Sequence, residues 1–507
     1  MMSSTSRIIS GSYAGLTRNF FSVLINIIAL PIYLSYWSVD LYATWILLLA
    51  IIVLIKIPIF SYQQYLENEF LKLGKNKKDE ISEILYSSTL IIFILSIVVL
   101  AITIVAIESS DILYFFKIKE SFIDSVKTGI IILFTAEIVG FLQSLFLRAL
   151  YPFGYYPKVS WVGLIHAVLV PLSQIIPVIL GFKLIGVCIA TFLVLQIYWI
   201  VCFFIFFKIY KKEKILFKKF EFKKNLNHLK KSTFLLFSNS FHFIREEGVR
   251  LILAPVVGTI EMVAFAIMRA GSNFIQRFLS AGTGSILVEF IGYINANEKE
   301  KFSSIITIMY FVLCFVIMPF ALIVQFVAPF IFKIWTKNLI IFDPIVFATL
   351  TSMLLITITY KPAQMIISGK NIYKSDFLIT LITGLIYIFS LFYLVPKLGI
   401  RGAGYSLFFG QIAYLIIAFY IASKWLNNNF ISFPKKIFIL TISNLFLTIL
   451  FIFAIIHFNE RGFFLFLIYI FIQTILIIIF WLNSSNFTKN KLKNFHKIIF
   501  NFNLGIR

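Results

Sequence analysis

Charge is scarce in this chain: of 507 residues only 13% are Asp, Glu, Lys or Arg, and the 22 acidic side chains are outnumbered by 45 basic ones. A soluble globular domain carries about 25% charged residues, so water is excluded as the sole solvent of this fold. Cysteine is almost absent. Cys188, Cys202 and Cys314 all fall inside apolar runs, which excludes a disulfide framework and leaves no CxxC ligand spacing. No GxxxxGK[ST] phosphate loop occurs, so ATP hydrolysis of the P-loop kind is excluded within this chain. The longest loop expected on the outer side of the membrane, 108–126, is short and holds no DxD pair. A polytopic polymerase, ligase or glycosyltransferase needs a larger catalytic loop, and the chain is therefore read as a non-enzyme without a cofactor or metal.

What the chain has in abundance is apolar surface: 60% of its residues are hydrophobic and 60 are Phe. Runs long enough to cross a bilayer of about 30 Å lie near 12–34, 42–62, 84–107, 127–147, 159–180 and 184–207. They recur near 233–256, 262–285, 303–327, 343–366, 376–395, 402–423, 437–457 and 462–482. This predicts an all-α polytopic membrane protein of about fourteen transmembrane helices. The N-terminal run is long, is interrupted by Arg18 and Asn19, and has no small-residue cleavage site, so it reads as a retained first helix.

The net charge of +23 arises from Lys in short segments between spans. That distribution speaks for membrane topology rather than nucleic acid. The heaviest segment, 208-KIYKKEKILFKKFEFKKNLNHLKK-231, lies between spans six and seven, and most other Lys and Arg fall inside when both termini are cytoplasmic. Anionic lipid headgroups are a further partner for these runs.

The segment sits between two similar halves. 154-GYYPKVSWVGLI and 184-LIGVCIAT in the first resemble 369-GKNIYKSDFLIT and 400-IRGAGYSL in the second, pairing Gly154 with Gly369 and Gly186 with Gly402; 40-DLYATW likewise resembles 261-EMVAFA. The expected organisation is an N-lobe at 1–207, a basic cytoplasmic linker at 208–232 and a C-lobe at 233–423. Two additional helices at 424–483 and a basic tail at 484–507 follow. Parallel repeats of six helices around a substrate path recur among transporters.

Polar residues inside spans are the candidate site. A charge facing lipid at mid-bilayer costs about 2.5–3.5 kcal/mol, so such residues must face water or partners. In 239-NSFHFIREEGVR-250, Asn239, His242, Glu246 and Arg250 fall on one helical face at 100° per residue, flanked by Arg245 and Glu247. Glu246 and Arg250, four residues apart, are expected to neutralise each other. The first helix aligns Gly11, Gly15, Asn19, Ser22 and Asn26 beside Arg18. The fourth span aligns Glu137, Gly140, Ser144 and Arg148, the eighth carries Arg269, Asn273, Gln276 and Arg277, and the second carries Lys56. Arg148, Lys56 and Arg277 can equally snorkel from span ends. Arg18, Lys56, Arg245, Arg250, Arg269 and Arg277 outnumber Glu137, Glu246 and Glu247. The interior is thus expected to favour an anion, which the planar Arg fork binds in bidentate fashion. Glu137, Glu246 and Glu247 would serve either as structural ion pairs or in coupling to H+ or Na+.

The first two spans carry a family resemblance. In 29-ALPIYLSYWSVDLYATWILLLA, Pro31, Asp40, Tyr42 and Trp45 match a proline-containing first helix followed by an LG-x-E-x-YG-L-W turn; Trp37-Ser38 replaces Leu-Gly, and Ala43 replaces Gly. Segments 249-VRLILAPVVGTIEMVAFAIMRA and 399-GIRGAGYSLFFGQ are similar to later parts of the pattern. The chain resembles the polysaccharide transporter group, including O-antigen flippases, of the multidrug/oligosaccharidyl-lipid/polysaccharide exporter superfamily. The resemblance implies two six-helix lobes around a central cationic cavity that alternates between membrane faces. It implies a flippase for an undecaprenyl-diphosphate-linked oligosaccharide in the bacterial inner membrane, with a polysaccharide polymerase and a chain-length regulator as companions. Arg18 and Asn19 match the polar position of the first helix in such proteins, Arg245 to Arg250 the charged zone of the seventh, and Arg269 the eighth. A multidrug exporter of the same superfamily is the alternative transporter, and it would favour an acidic interior.

Overall fold

The computed structural model describes residues 4–109, 111–215, 220–281, 298–369, 373–428, 434–458, 461–486 and 488–489. Among them there is no strand, and fourteen long helices follow one another. The first six are α1 Ser4–Tyr36, α2 Val39–Leu73, α3 Lys78–Glu108, α4 Glu120–Ala149, α5 Tyr156–Ile179 and α6 Leu184–Glu213. Helix α7 begins as Phe222–Phe243, passes through a π-turn at Ile244–Gly248 and ends as Val249–Val257; α8 is Thr259–Ala281. Helix α9 likewise joins Lys299–Val312 to Met318–Trp335 through a π-turn at Leu313–Ile317. Then come α10 Pro344–Gly369, α11 Tyr373–Leu398, α12 Ile400–Asn428, α13 Lys435–His457 and α14 Gly462–Asn483.

Each expected span coincides with one of these helices, the end of the eighth at 282–285 lying outside the described residues, and the protein is an all-α polytopic membrane protein. Twelve described helices are long and apolar enough to cross a membrane by length and composition alone. Helices α7 and α8 are not among them; α7 carries Arg245, Glu246, Glu247 and Arg250, and α8 carries Arg269, Asn273 and Gln276.

The chain divides into two compact units. Unit 1 holds Met1–Ala266 with Trp335–Ile340, and unit 2 holds Ile267–Ile334 with Ile341–Arg507. In unit 1, α1 packs on α5, α4 lies against α2, α3 and α6, and α7 packs along α2. The seventh span, placed by the sequence at the start of the C-lobe, thus makes its contacts in unit 1.

The residues that carry the family resemblance form a packed corner. Trp37, Trp45 and Tyr33 are buried, with Trp37 against both other rings and Tyr33 also against Tyr42. Ser38, standing where the pattern has Gly, caps α2 by accepting from the Leu41 amide at 3.3 Å, which satisfies one of the orphan donors of a helix start. The indole of Trp37 donates to the Phe182 carbonyl at 3.0 Å. Asp40 in the first turn of α2 is bridged by Lys119.

Gly186 and Gly402 occupy equivalent places near the start of α6 and of α12. A Cβ on Gly186 would lie 2.6 Å from the Phe182 ring, and one on Gly402 would lie 2.4 Å from the Leu394 carbonyl oxygen. Each glycine lets the sixth helix of its half fold back on the segment before it.

In unit 2, α12 packs on α10 and α11, and α13 packs on α10, α9 and α14. The α13 and α14 helices are joined by buried polar groups. Asn444 and Gln473 exchange amide hydrogen bonds of 3.2 and 2.6 Å, and Thr448 meets the Tyr469 hydroxyl at 3.0 Å.

Candidate functional site

Helices α2 and α4 run parallel in a fixed register, which the sequence offset shows directly. Lys56 Nζ lies 2.8 Å from Glu137 Oε1, Ser144 donates to Gln63 Oε1 at 2.9 Å, and Arg148 pairs with Glu67. Each residue on α2 thus faces the residue 81 positions later. The spacings of seven and four keep all three layers on one helical face. The two ion pairs lie about 16 Å apart along the axis at ~1.5 Å per residue, and they have opposite polarity across the interface.

Helix α7 closes this face. Asn239 donates to Ser61 Oγ at 2.9 Å and to Gln64 Oε1 at 3.0 Å. Beyond it, the π-turn at Ile244–Gly248 shifts the helical phase, because an i→i+5 turn holds more than 3.6 residues. This overturns the expected Glu246–Arg250 pairing: Arg250 Nη1 sits 2.7 Å from Glu247 Oε2, and Arg245 Nε lies 3.4 Å from Glu246 Oε1. Arg245 also reaches the His242 ring at 3.3 Å.

Between α2, α4, α5, α6 and α7 lies a cavity of about 490 Å³. Its polar lining includes Lys56, Glu137, Arg148, His166, Asn239 and Glu246, with His242, Glu247, Gln63 and Ser144 completing it. The Trp199 ring forms one wall, with the His166 imidazole 5.4 Å from its centre.

Four of the cations in this unit are matched by acids. Lys56, Arg148, Arg245 and Arg250 each meet a carboxylate, on Glu137, Glu67, Glu246 and Glu247 respectively. Glu67 was missed because α2 continues to Leu73, past the span of 42–62 that bilayer thickness alone suggests. Lys56 and Arg148 form cross-helix pairs, where the sequence also allowed snorkelling. All eight side chains are partly exposed, between 18% and 39%, so the network is wet at its edge and not a dry buried cluster. A balanced network of this kind lowers the cost of holding charge at membrane depth. Arg245 and Arg250 are not among the residues that line the cavity; their carboxylate partners Glu246 and Glu247 are.

The other sequence candidates lie elsewhere. Arg18 is exposed on α1, with its guanidinium 4.0 Å from where a Cβ on Gly163 of α5 would lie. Asn19 is half-buried, and the exposed Asn26 closes its amide on the Ser22 carbonyl at 2.7 Å. None of the three lines the cavity. Arg269 belongs to unit 2 and is 5% exposed; Asn273 is half-buried there. The Arg277 side chain lies outside the described residues. Sequence reasoning also passed over Gln63, which lies between Lys56 and Glu67 on the charged face of α2, and His166 and Trp199, which reach the cavity from α5 and α6. The recurrent offset of 81 between polar residues of the second and fourth spans was the signal available for Gln63.

No protein-family model and no curated protein sequence matches the chain. Solved structures do. The lipid II flippase MurJ in an inward closed conformation is similar with TM-score 0.64 at 16% identity, covering 96% of this chain and 100% of that one. An inward-facing multidrug resistance MATE family transporter of the MOP superfamily is similar with TM-score 0.63 at 14% identity, covering 80% and 95%. A MATE crystallised with MaD3S gives 0.59 at 15% identity over 83% and 96%. The chain therefore has the fold of the multidrug and lipid-flipping exporters.

Proposed function

We propose that this protein is a flippase that moves an oligosaccharide linked to a lipid diphosphate, the undecaprenyl-diphosphate repeat unit of a surface polysaccharide, to the outer face of the bacterial inner membrane. Transport proceeds by alternating access, with no covalent chemistry. The observation that carries this reading is the extent of the structural likeness: the MurJ structure matches 96% of the chain, whereas the MATE structures match 80–83%. A flippase fold thus accommodates nearly the whole chain.

In this reading the diphosphate engages Arg245 and Arg250, whose planar forks exchange Glu246 and Glu247 for phosphate oxygens. Each carboxylate released must then find a proton, a sodium ion or water. Glu137, Glu246 and Glu247 are the groups through which H+ or Na+ coupling would act. Both termini lie in the cytoplasm, and a polymerase and chain-length regulator receive the flipped unit.

The second reading is a multidrug exporter. It is favoured by the MATE likeness and by three carboxylates, Glu137, Glu246 and Glu247, on the cavity wall. Deleting the gene and analysing lipid extracts by mass spectrometry separates the two. A flippase leaves lipid-linked saccharide accumulated in the deletion strain; an exporter leaves that pool unchanged and raises sensitivity to cationic drugs.

A further inference from the structure

Unit 1 carries a second cavity of about 700 Å³, between α3, α4 and α6, and its character is opposite to that of the first. Its walls are Leu142, Phe146, Phe203, Phe204 and Phe207, with Trp199 at its deep end and Lys211 at the other. Phe203, Phe204 and Phe207 are exposed, and Phe203 and Phe207 stack with ring centres 5.6 Å apart. Lys211 Nζ lies 4.9 Å from the centre of the Phe207 ring, at the mouth of the groove.

We infer that this groove is a binding site for an anionic glycerophospholipid, with one acyl chain along α6 and the phosphate at Lys211. Three observations fix the occupant. Trp199 and Lys211 are twelve residues apart on one helix, about 18 Å at ~1.5 Å per residue, which is close to the hydrocarbon depth of one leaflet, roughly 15 Å. The groove is apolar along that length and cationic at the end where a headgroup sits, next to the Lys-rich 208–231 segment. The third observation rules out the lipid tail of a substrate held in the polar cavity. Trp199 walls both spaces, and a Cβ on Gly140 would lie only 2.9 Å from the indole, so α4 and α6 are closed on each other there. A molecule with its diphosphate in the polar cavity cannot thread its chain into the groove. The site is independent of the flippase reading and stands whichever cargo the protein carries.

The test uses the full-length protein in nanodiscs of phosphatidylcholine with increasing phosphatidylglycerol. Native mass spectrometry counts retained lipid, and a variant whose only tryptophan is Trp199 reports quenching by phosphatidylglycerol brominated near the end of its acyl chains. The expected result is saturable retention and quenching at low mole fraction of phosphatidylglycerol. Lys211→Gln is expected to weaken the preference over phosphatidylcholine about five-fold, the ratio that corresponds to ~1 kcal/mol for one Lys at an anionic surface. Lys212→Gln, which removes the same charge next to the groove, is expected to retain it. Leu142→Phe, which fills the groove, is expected to lower retention of both lipids while leaving the thermal transition in place. Quenching that follows total brominated lipid regardless of headgroup, or equal effects of Lys211→Gln and Lys212→Gln, overturns the site. Displacement of phosphatidylglycerol by polyprenyl diphosphate overturns the assignment of its occupant.

Discussion

Lys56 and Glu137 meet at 2.8 Å across two parallel helices, and the same face carries the reverse arrangement at Glu67 and Arg148. The alternation of sign fixes the α2–α4 register, because sliding either helix by one heptad would set unlike partners apart. Lys56→Met or Glu137→Leu alone is expected to lower the melting temperature in detergent, since the partner charge is left without compensation. The cost should stay below the ~3–5 kcal/mol of a fully buried pair, because these side chains are 25% and 27% exposed. The double variant Lys56→Met/Glu137→Leu is expected to recover most of the loss. If the double variant melts at or below the lower of the single variants, the pair does not set the register.

Gly140 leaves no room for a side chain. With Trp199 Cζ2 at 2.9 Å from its virtual Cβ, Gly140→Ala forces a bulky ring to move, and overpacking of this type costs about 1–3 kcal/mol. Trp199 also walls the polar cavity, so the same substitution is expected to reduce transport beyond its effect on protein level. Thermal unfolding paired with transport per folded molecule separates the two effects. An unchanged melting temperature would contradict the close α4–α6 packing.

The last two helices are joined by an amide clasp. Asn444→Leu or Gln473→Leu leaves the other amide without its exchange partner, at a cost of about 0.6–2 kcal/mol for a hydrogen bond between membrane helices. Asn444→Leu/Gln473→Leu together is expected to be closer to wild type than either alone. Limited proteolysis of the α13–α14 connection reads the outcome. Equal sensitivity in all three variants would show that apolar packing alone seats this pair.

Orientation follows from the distribution of Lys and Arg. Reporters fused near Lys219 and at Arg507 are both expected to report the cytoplasm. A periplasmic signal at either position contradicts the fourteen-helix topology.

Much of the fold was legible in the sequence because the bilayer imposes one dominant rule, about 20 apolar residues per crossing. Every helix from α1 to α14 announced itself that way, α7 and α8 included, although these two are more polar than the twelve described helices that are apolar enough to cross a membrane by composition alone. The site was legible only in part. Asn239, His242, Glu246, Glu247 and Glu137 were identified from helical periodicity and do line one cavity. The partners within it were not legible. A π-turn at Ile244–Gly248 breaks the 3.6-residue period on which the Glu246–Arg250 pairing rested, and nothing in the sequence IREEG announces it. Glu67 was missed since membrane helices extend past the bilayer, and Trp199 since an aromatic among 60 Phe carries no signal of its own. Arg18, Asn19 and Asn26 share a helical face as expected, yet α1 packs on α5 and does not line the cavity.

The central claim is that Arg245 and Arg250 exchange their carboxylates for the diphosphate of a lipid-linked saccharide. The most direct measurement is surface polysaccharide per correctly inserted molecule, paired with the cytoplasmic pool of its lipid-linked precursor, in Arg245→Gln, Arg250→Gln and the corresponding Lys variants. The account predicts folded protein in the membrane, export lost in both Gln variants with precursor accumulating, and only partial rescue by Lys, because a point charge lacks the bidentate geometry of Arg. Normal export by well-folded Arg245→Gln and Arg250→Gln would contradict it, leaving the two ion pairs as structural locks within unit 1.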